Sequence, residues 1–319
     1  MVSRAPVPPP DRPRPRGPLS TPARAALLML GSTLLFALMV IAIRLASESL
    51  HTFEIAFFRN FFGLAAALPL LLRPGRGFGF LRTAQLPRYF VRCLIGMLSM
   101  FCGFWAIGHL PLAQAVSLSY STPIFVTIAA VLFLGEKVRA RRWTAVALGF
   151  VGVLVILRPG TGEFTPGLLV AVAAAVLSGV VAIQIKELSR SEPADRIVVW
   201  TTLFWVPMSL LPALAVWEWP QGIVWLWVVA AGVLGTGGHM LWTRALKIGE
   251  VSALTPISFM QLPVVALFGW LLFGQTIDRW TAVGAFIILA ANAYIAHREA
   301  QLARRARTHA PVEAAKPGE

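Results

Sequence analysis

The chain has 319 residues, of which 57% are hydrophobic and 13% charged. Soluble domains hold roughly 45–50% apolar and about 25% charged residues, so a single water-soluble core is excluded and lipid must cover the apolar surplus. The net charge of +14 does not signal nucleic acid, because the basic residues sit in tails and short connectors between apolar runs, where they set membrane orientation.

Residues 1–24 are rich in proline and arginine and read as a disordered cytoplasmic tail. Apolar runs able to span the hydrocarbon as helices follow at 25–46, 53–72, 89–109, 112–134, 142–158, 166–186, 196–216, 222–246, 250–273 and 280–297. The first is too long for the core of a cleaved signal peptide, so it is expected to be retained. Residues 298–319 read as a basic cytoplasmic tail. Links as short as His109 to Pro111 and Gly274 to Arg279 make neighbouring helices antiparallel.

Counted on alternate sides of the ten runs, the basic residues are lopsided. Arg44, Arg158 and Arg279 fall on one side and Arg59 within a span; the rest of the 28 Lys and Arg lie with the two termini. The positive-inside rule then places both termini in the cytoplasm of an inner-membrane protein and favours an even span count. Trp217, Trp219, Trp225, Trp227 and Trp280 gather at the expected interfaces as an aromatic belt. Cys93 and Cys102 share one run, on opposite helix faces and roughly 13 Å apart along the axis. They are expected neither to pair nor to bind zinc.

Arg142-Trp143-Thr144-Ala145-Val146 recurs as Arg279-Trp280-Thr281-Ala282-Val283. Trp105, Pro123 and Gly135 precede the first copy; Trp242, Pro263 and Gly274 precede the second in the same order. The chain is therefore two repeats, 25–158 and 166–297, with five spans each. An odd number of spans inverts the second repeat in the bilayer, an architecture of transporters with a site near the midplane between the halves. The expected fold is an all-α membrane protein of ten transmembrane helices in two inverted five-helix repeats.

The run from Pro123 to Gly135, Glu136, Lys137 and Val138, then Arg142-Trp143 and Gly149 to Leu154, resembles the EamA-type module of the drug/metabolite transporter superfamily. The resemblance covers roughly residues 25–297. It implies a ten-helix carrier for small organic solutes. That family includes amino-acid and metabolite exporters and uptake systems for S-adenosylmethionine and riboflavin. It also implies a central cavity lined mainly by the first, third, fourth, sixth, eighth and ninth helices. This sequence departs at Gln275, where the first repeat has Glu136; a connector-packing role is expected for that position.

The fourth span carries Gln114, Ser117, Ser119, Tyr120, Ser121 and Thr122, with Gln114, Ser117 and Ser121 on one face. Its repeat partner, the ninth, carries Ser252, Thr255, Ser258 and Gln261. The two stripes are expected to face each other across the cavity and hydrogen-bond substrate, with helix packing by small hydroxyls as the competing role. Pro123, Pro256 and Pro263 suit bent or broken helices. The repeat-equivalent Trp105 and Trp242 are candidates to stack a flat substrate, or fillers. His239 and Arg59 are ionisable residues within spans and candidates by that fact, Arg59 for an anionic group or for a structural pairing. Gln184 is a further candidate, and Glu54 is placed at a solvated membrane edge.

No nucleophile–base pair, H-E-x-x-H motif or paired intramembrane aspartate is present, so neither an enzyme nor a metal or cofactor is expected. The expected partners are a small-molecule substrate and the bilayer, with the chain a monomer or homodimer. A proton or a counter-substrate is open as the coupled species, since no carboxylate lies near the middle of a span. The alternatives are a lipid-carrier flippase of the same superfamily and a non-transporting scaffold.

Overall fold

The computed structural model describes residues 21–71, 82–135, 140–162, 164–249 and 251–308. Glu136, Lys137, most of the N-terminal tail and the end of the C-terminal tail lie outside them. The described residues are all-helical, in the order α1 (Thr21–Ala46), α2 (Thr52–Leu71), α3 (Leu86–His109), α4 (Leu112–Ser119), α5 (Thr122–Leu134), α6 (Ala140–Leu157), α7 (Pro166–Leu188), α8 (Ala194–Leu214), α9 (Val224–Ile248), α10 (Val251–Ser258), α11 (Gln261–Phe273) and α12 (Arg279–Thr308). Among the described residues, seven helical stretches are long and apolar enough to cross a membrane, two of them counted across a break; Trp143–Leu157 and Val199–Leu214 are shorter apolar helices.

The two halves repeat element for element. α4 and α10 have 8 residues each, and α5 and α11 have 13 each. Gly135 and Gly274 end α5 and α11 at the same left-handed φ of 62°, a conformation that costs a residue with a Cβ more than it costs glycine. The halves are also interleaved. α1 packs chiefly on α9, α3 on α7, α6 on α12, and α2 on α8 and α9. Each of these pairings joins one half to the other.

Packing follows from small residues and rings. Ala42, Ile43, Ala46, Ile55, Phe58, Phe104, Val228 and Ala231 bury one core where α1, α2, α3 and α9 meet. Ala37, Val40, Ile41, Leu112, Val116 and Val265 bury another between α1, α4 and α11. Trp217 and Trp225 pack on the phenylalanines of α2, each 5.4 Å from Phe58, and Trp219 packs on both tryptophans.

Two charges differ from their expected settings. Glu54 is not solvated but 1% exposed. Its Oε2 accepts the His51 amide at 3.0 Å, and its Oε1 accepts the Glu218 amide at 2.5 Å. It caps α2 and pins the α8–α9 loop onto that helix start, so backbone donors replace water. Arg92, counted with the connector before the third span, is buried in α3. There it donates to the Thr201 hydroxyl of α8 and lies over the Trp205 ring at 5.7 Å.

Candidate functional site

Each half has one interrupted helix, and the interruptions meet. α4 stops at Ser119 and α5 restarts at Thr122; α10 stops at Ser258 and α11 restarts at Gln261. Pro123 and Pro263 stand just inside the restarting helices, where a residue without an N–H is tolerated. The Tyr120 hydroxyl crosses from the first break to the second, donating to the Ser258 carbonyl at 2.8 Å, with Gln261 Oε1 at 3.4 Å. Phe259 meets the Tyr120 ring edge-on at 5.6 Å. The Tyr120 carbonyl accepts Asn292 Nδ2 of α12 at 2.6 Å. A broken helix leaves carbonyls without intrahelical donors, and here side chains from other elements supply them.

Tyr120, Ser258 and Gln261 are thus brought together. Ser117 and Ser121, 1% and 0% exposed, instead donate to the carbonyls of Ala113 and Leu118 at 2.6 Å each. Ser258 donates to the carbonyl of Thr255 at 2.7 Å. These hydroxyl protons are spent within their own helices, so the oxygens are left as acceptors. Gln114 is partly exposed and makes no side-chain hydrogen bond among the described residues.

The other candidates lie elsewhere. Trp105 stacks flat on His109 at 4.2 Å and 8° and fills the space over Gly167, where a Cβ would come within 3.0 Å of its ring. It is packed between α3 and the start of α7. Trp242 is 42% exposed on α9, and the two tryptophans make no ring contact with each other. Gln184, near the far end of α7, has a buried Oε1 without a partner among the described residues. It lines a cavity of about 510 Å³ with Gln85, Arg88, Glu187 and Arg190. Arg59 and His239 form a separate polar group between α1, α2 and α9. Arg59 Nη1 donates to Asn60 Oδ1 at 3.0 Å, and the His239 ring meets Phe36 edge-on at 4.9 Å.

Further residues complete the arrangement. At one end of the bundle three contacts tie the first half to the second. Arg44 donates to the carbonyls of Ile107, Gly108 and Leu110 at the end of α3 and lies over the Phe273 ring of α11 at 5.6 Å. Gln275 Oε1 accepts the Leu112 amide, the first of α4, at 2.9 Å. Arg158 pairs with Asp278, which also caps α12 by accepting the amides of Trp280 and Thr281 at 2.9 and 3.1 Å. Burial works against ionisation of Asp278, but donors from Thr281 and Trp280 and the charge of Arg158 outweigh it and hold the carboxyl below its ordinary range. The sequence signal for Asn292 was an amide inside an apolar helix. Arg44 and Gln275 reach mostly backbone carbonyls and amides, which carry no sequence signal. Among the described residues no three His, Cys, Asp or Glu side chains gather in a metal-binding group.

Comparison with known proteins agrees with this two-part build. The EamA-like transporter family matches residues 23–158 and again 165–296. A riboflavin transporter of Vibrio cholerae is 31% identical over 290 residues, covering 90% of this chain and 97% of that one. An S-adenosylmethionine uptake transporter of Rickettsia felis is 31% identical over 257 residues, covering 78% and 84%. A pseudopaline exporter of Pseudomonas aeruginosa is 28% identical, covering 83% and 93%. One crystal structure, 22% identical, aligns with a TM-score of 0.59 over 87% of this chain and 99% of that one, a likeness of fold.

Proposed function

The chain belongs to the EamA-like transporter family, and from that premise we propose that it is a ten-span inner-membrane carrier of a small organic metabolite. α4 with α5, and α10 with α11, each count as one span. The two five-span halves are inverted, both termini are cytoplasmic, and alternating access operates at a site between the halves. Relatives are named for riboflavin, S-adenosylmethionine and pseudopaline, which supports an amino-acid-, nucleoside- or vitamin-like solute as the substrate class.

The observation that carries this reading is the bond from Tyr120 to the Ser258 carbonyl, which joins the two broken helices. Broken helices at the repeat interface present backbone carbonyls and amides to a solute where an intact helix presents none. Gln114, Tyr120, Ser258 and Gln261 supply amide and hydroxyl groups there, while the buried Ser117 and Ser121 hold the backbone beside the first break. The end tied by Arg44, Gln275 and Arg158 carries few basic residues and is the periplasmic end. Its three ties hold that end shut while the other opens.

Liposomes containing the purified protein should accumulate labelled riboflavin, S-adenosylmethionine or a close analogue above protein-free vesicles. Tyr120→Phe should lower the initial rate about 2–10-fold, the worth of one hydrogen bond of about 0.5–1.5 kcal/mol, with the melting curve retained. Uptake of no solute from a metabolite panel would sink the carrier reading. Topology has its own check. Reporters fused after residue 162 should be active in the periplasm and after residue 192 in the cytoplasm; the reverse pattern removes the ten-span count.

A further inference from the structure

The cavity of about 510 Å³ opens where α3 begins and α7 ends, so each half of the chain supplies one wall. Arg88 and Val91 stand on the α3 wall; Gln184, Glu187 and Arg190 stand on the α7 wall. Gln85 Nε2 donates to Ser191 Oγ across the rim at 3.2 Å and ties the walls together. Arg88 and Arg190 are both exposed, and neither side chain bonds or pairs with another described residue. Glu187, three residues before Arg190, does not pair with it. The next acid, Glu192, is already spent: Thr83 Oγ1 donates to it at 2.5 Å and Arg196 Nη1 at 2.7 Å. The cavity therefore holds two guanidinium groups against one carboxylate.

Beyond the arginines the walls turn apolar. From Arg88 the exposed Val91, Leu94 and Leu98 follow along one face of α3 at helical spacing. On α7 the half-buried Val180 and the exposed Val176 stand two and three turns before Glu187, on its face. Arg88 to Leu98 is about 15 Å of helix, half of a hydrocarbon core about 30 Å thick. The strip is one leaflet deep. A water-soluble anion would meet the arginines and leave this strip bare; a hydrocarbon chain hung from the same anion covers it.

Guanidinium groups bind phosphate oxygens through charge-assisted N–H donors, and basic pockets between helices at a membrane surface receive lipid headgroups. We propose that the α3–α7 cavity binds an anionic phospholipid, its phosphodiester met by Arg88 and Arg190 and an acyl chain laid along Val91, Leu94 and Leu98. Glu187 and Gln184 then face the rest of the headgroup, where Glu187 favours hydroxyl groups and disfavours a second negative charge. Bound lipid bridges the start of α3 and the end of α7, and so the two halves. Its leaflet, the cytoplasmic one, rests on the orientation proposed above; the binding itself does not.

The test uses the full chain purified in an uncharged detergent and three probes: dioleoyl phosphatidylglycerol, dioleoyl phosphatidylcholine, and glycerol phosphate as a headgroup without chains. Bound lipid is counted by native mass spectrometry, and stabilisation is read from melting curves across concentration. Phosphatidylglycerol should bind about 5–10-fold more tightly than phosphatidylcholine, the worth of one net basic charge at a membrane surface. Glycerol phosphate at equal concentration should not displace it. Arg88→Gln with Arg190→Gln should erase the preference; both side chains are exposed and unbonded, so this variant should fold. Arg244→Gln with Lys247→Gln removes the same charge from exposed positions at the end of α9 and should keep the preference. The proposal is overturned if the two lipids bind equally, if the preference survives loss of Arg88 and Arg190, or if the α9 variant loses it as well. It is also overturned if glycerol phosphate competes as well as the lipid, which would make the cavity a site for a free anion. Failure of the proposed orientation looks different: the reporter fusions reverse while binding in detergent is unchanged.

Discussion

Gly284→Val should remove most folded protein. α6 and α12 meet backbone to backbone at this residue. A Cβ on Gly284 would sit 2.6 Å from the Gly152 carbonyl and 2.5 Å from Ile156 Cγ1. The same contact seen from Gly152 is 2.9 Å to the Gly284 carbonyl and 2.8 Å to Ile288 Cγ1. A side-chain collision can relax by changing rotamer; a carbonyl held in a helix cannot. The helices must separate, and Ile156 and Ile288, both fully buried, lose their contacts. Apolar helices in lipid associate by this close packing rather than by escape from water, and the Arg158–Asp278 pair at one end cannot replace it along the helices. Overpacking costs about 1–3 kcal/mol in well-packed cores, and a double backbone clash belongs at the upper end. Size-exclusion profiles and melting curves would show it. Gly162→Val, in a loop with nothing within 4 Å of its Cβ, should behave as wild type. A Gly284→Val protein with the wild-type melt would remove the close α6–α12 contact from the account.

Opening the ties at Arg44 and Gln275 should have the second large effect, on access rather than on folding. Arg44→Ala strips donors from the Ile107, Gly108 and Leu110 carbonyls and the cation from the Phe273 ring. Gln275→Leu frees the Leu112 amide at the start of α4. Gln114, partly exposed two residues further on, is a reporter of what these ties close off. In a chain with Cys93 and Cys102 replaced by Ala, Gln114→Cys should react slowly with a membrane-impermeant maleimide applied from outside. Adding Arg44→Ala and Gln275→Leu should speed the reaction about 10–100-fold, the population shift expected from losing about 1.5–3 kcal/mol across the halves, the Arg44–Phe273 contact and the Gln275–Leu112 hydrogen bond together. Unchanged labelling would mean that these contacts hold nothing shut. The Arg158–Asp278 tie has a definite pH range. A carboxyl held below its unfolded value, about 3.9, contributes in full above that value and loses its contribution as pH falls through the lower, folded one. Labelling should therefore not change between pH 5 and 8 on account of Asp278.

The helices were legible because lipid enforces one rule on every span: a long apolar run with internally satisfied backbone. Hydropathy alone merged α4 with α5 and α10 with α11. The prolines hinted at breaks, but a run stays apolar whether or not the chain is interrupted within it. Periodicity placed Gln114, Ser117 and Ser121 on one face. It could not say that the serines would donate to carbonyls three or four residues back, because that choice is local and hidden from a face diagram. Glu54 looked solvated because its distance along the helix put it near an end; its second partner, the Glu218 amide, is 164 residues away. Arg92 was misplaced for the same reason, its hydroxyl partner Thr201 lying on another helix. The repeated Arg-Trp-Thr-Ala-Val string revealed two halves but not that they interleave.

That interleaving bears on how the chain is made. α1 finds its main partner in α9, and α3 in α7, so the first half leaves the ribosome with its principal surfaces unmet. At about 5–20 residues per second, α1 waits on the order of ten seconds or more before α9 emerges. During that time its small-residue face is open to any neighbouring helix, and insertion machinery or lipid must cover it. Neither half should survive alone in a cell, while the two expressed together as separate chains, cut in the α6–α7 connection, should find each other and assemble.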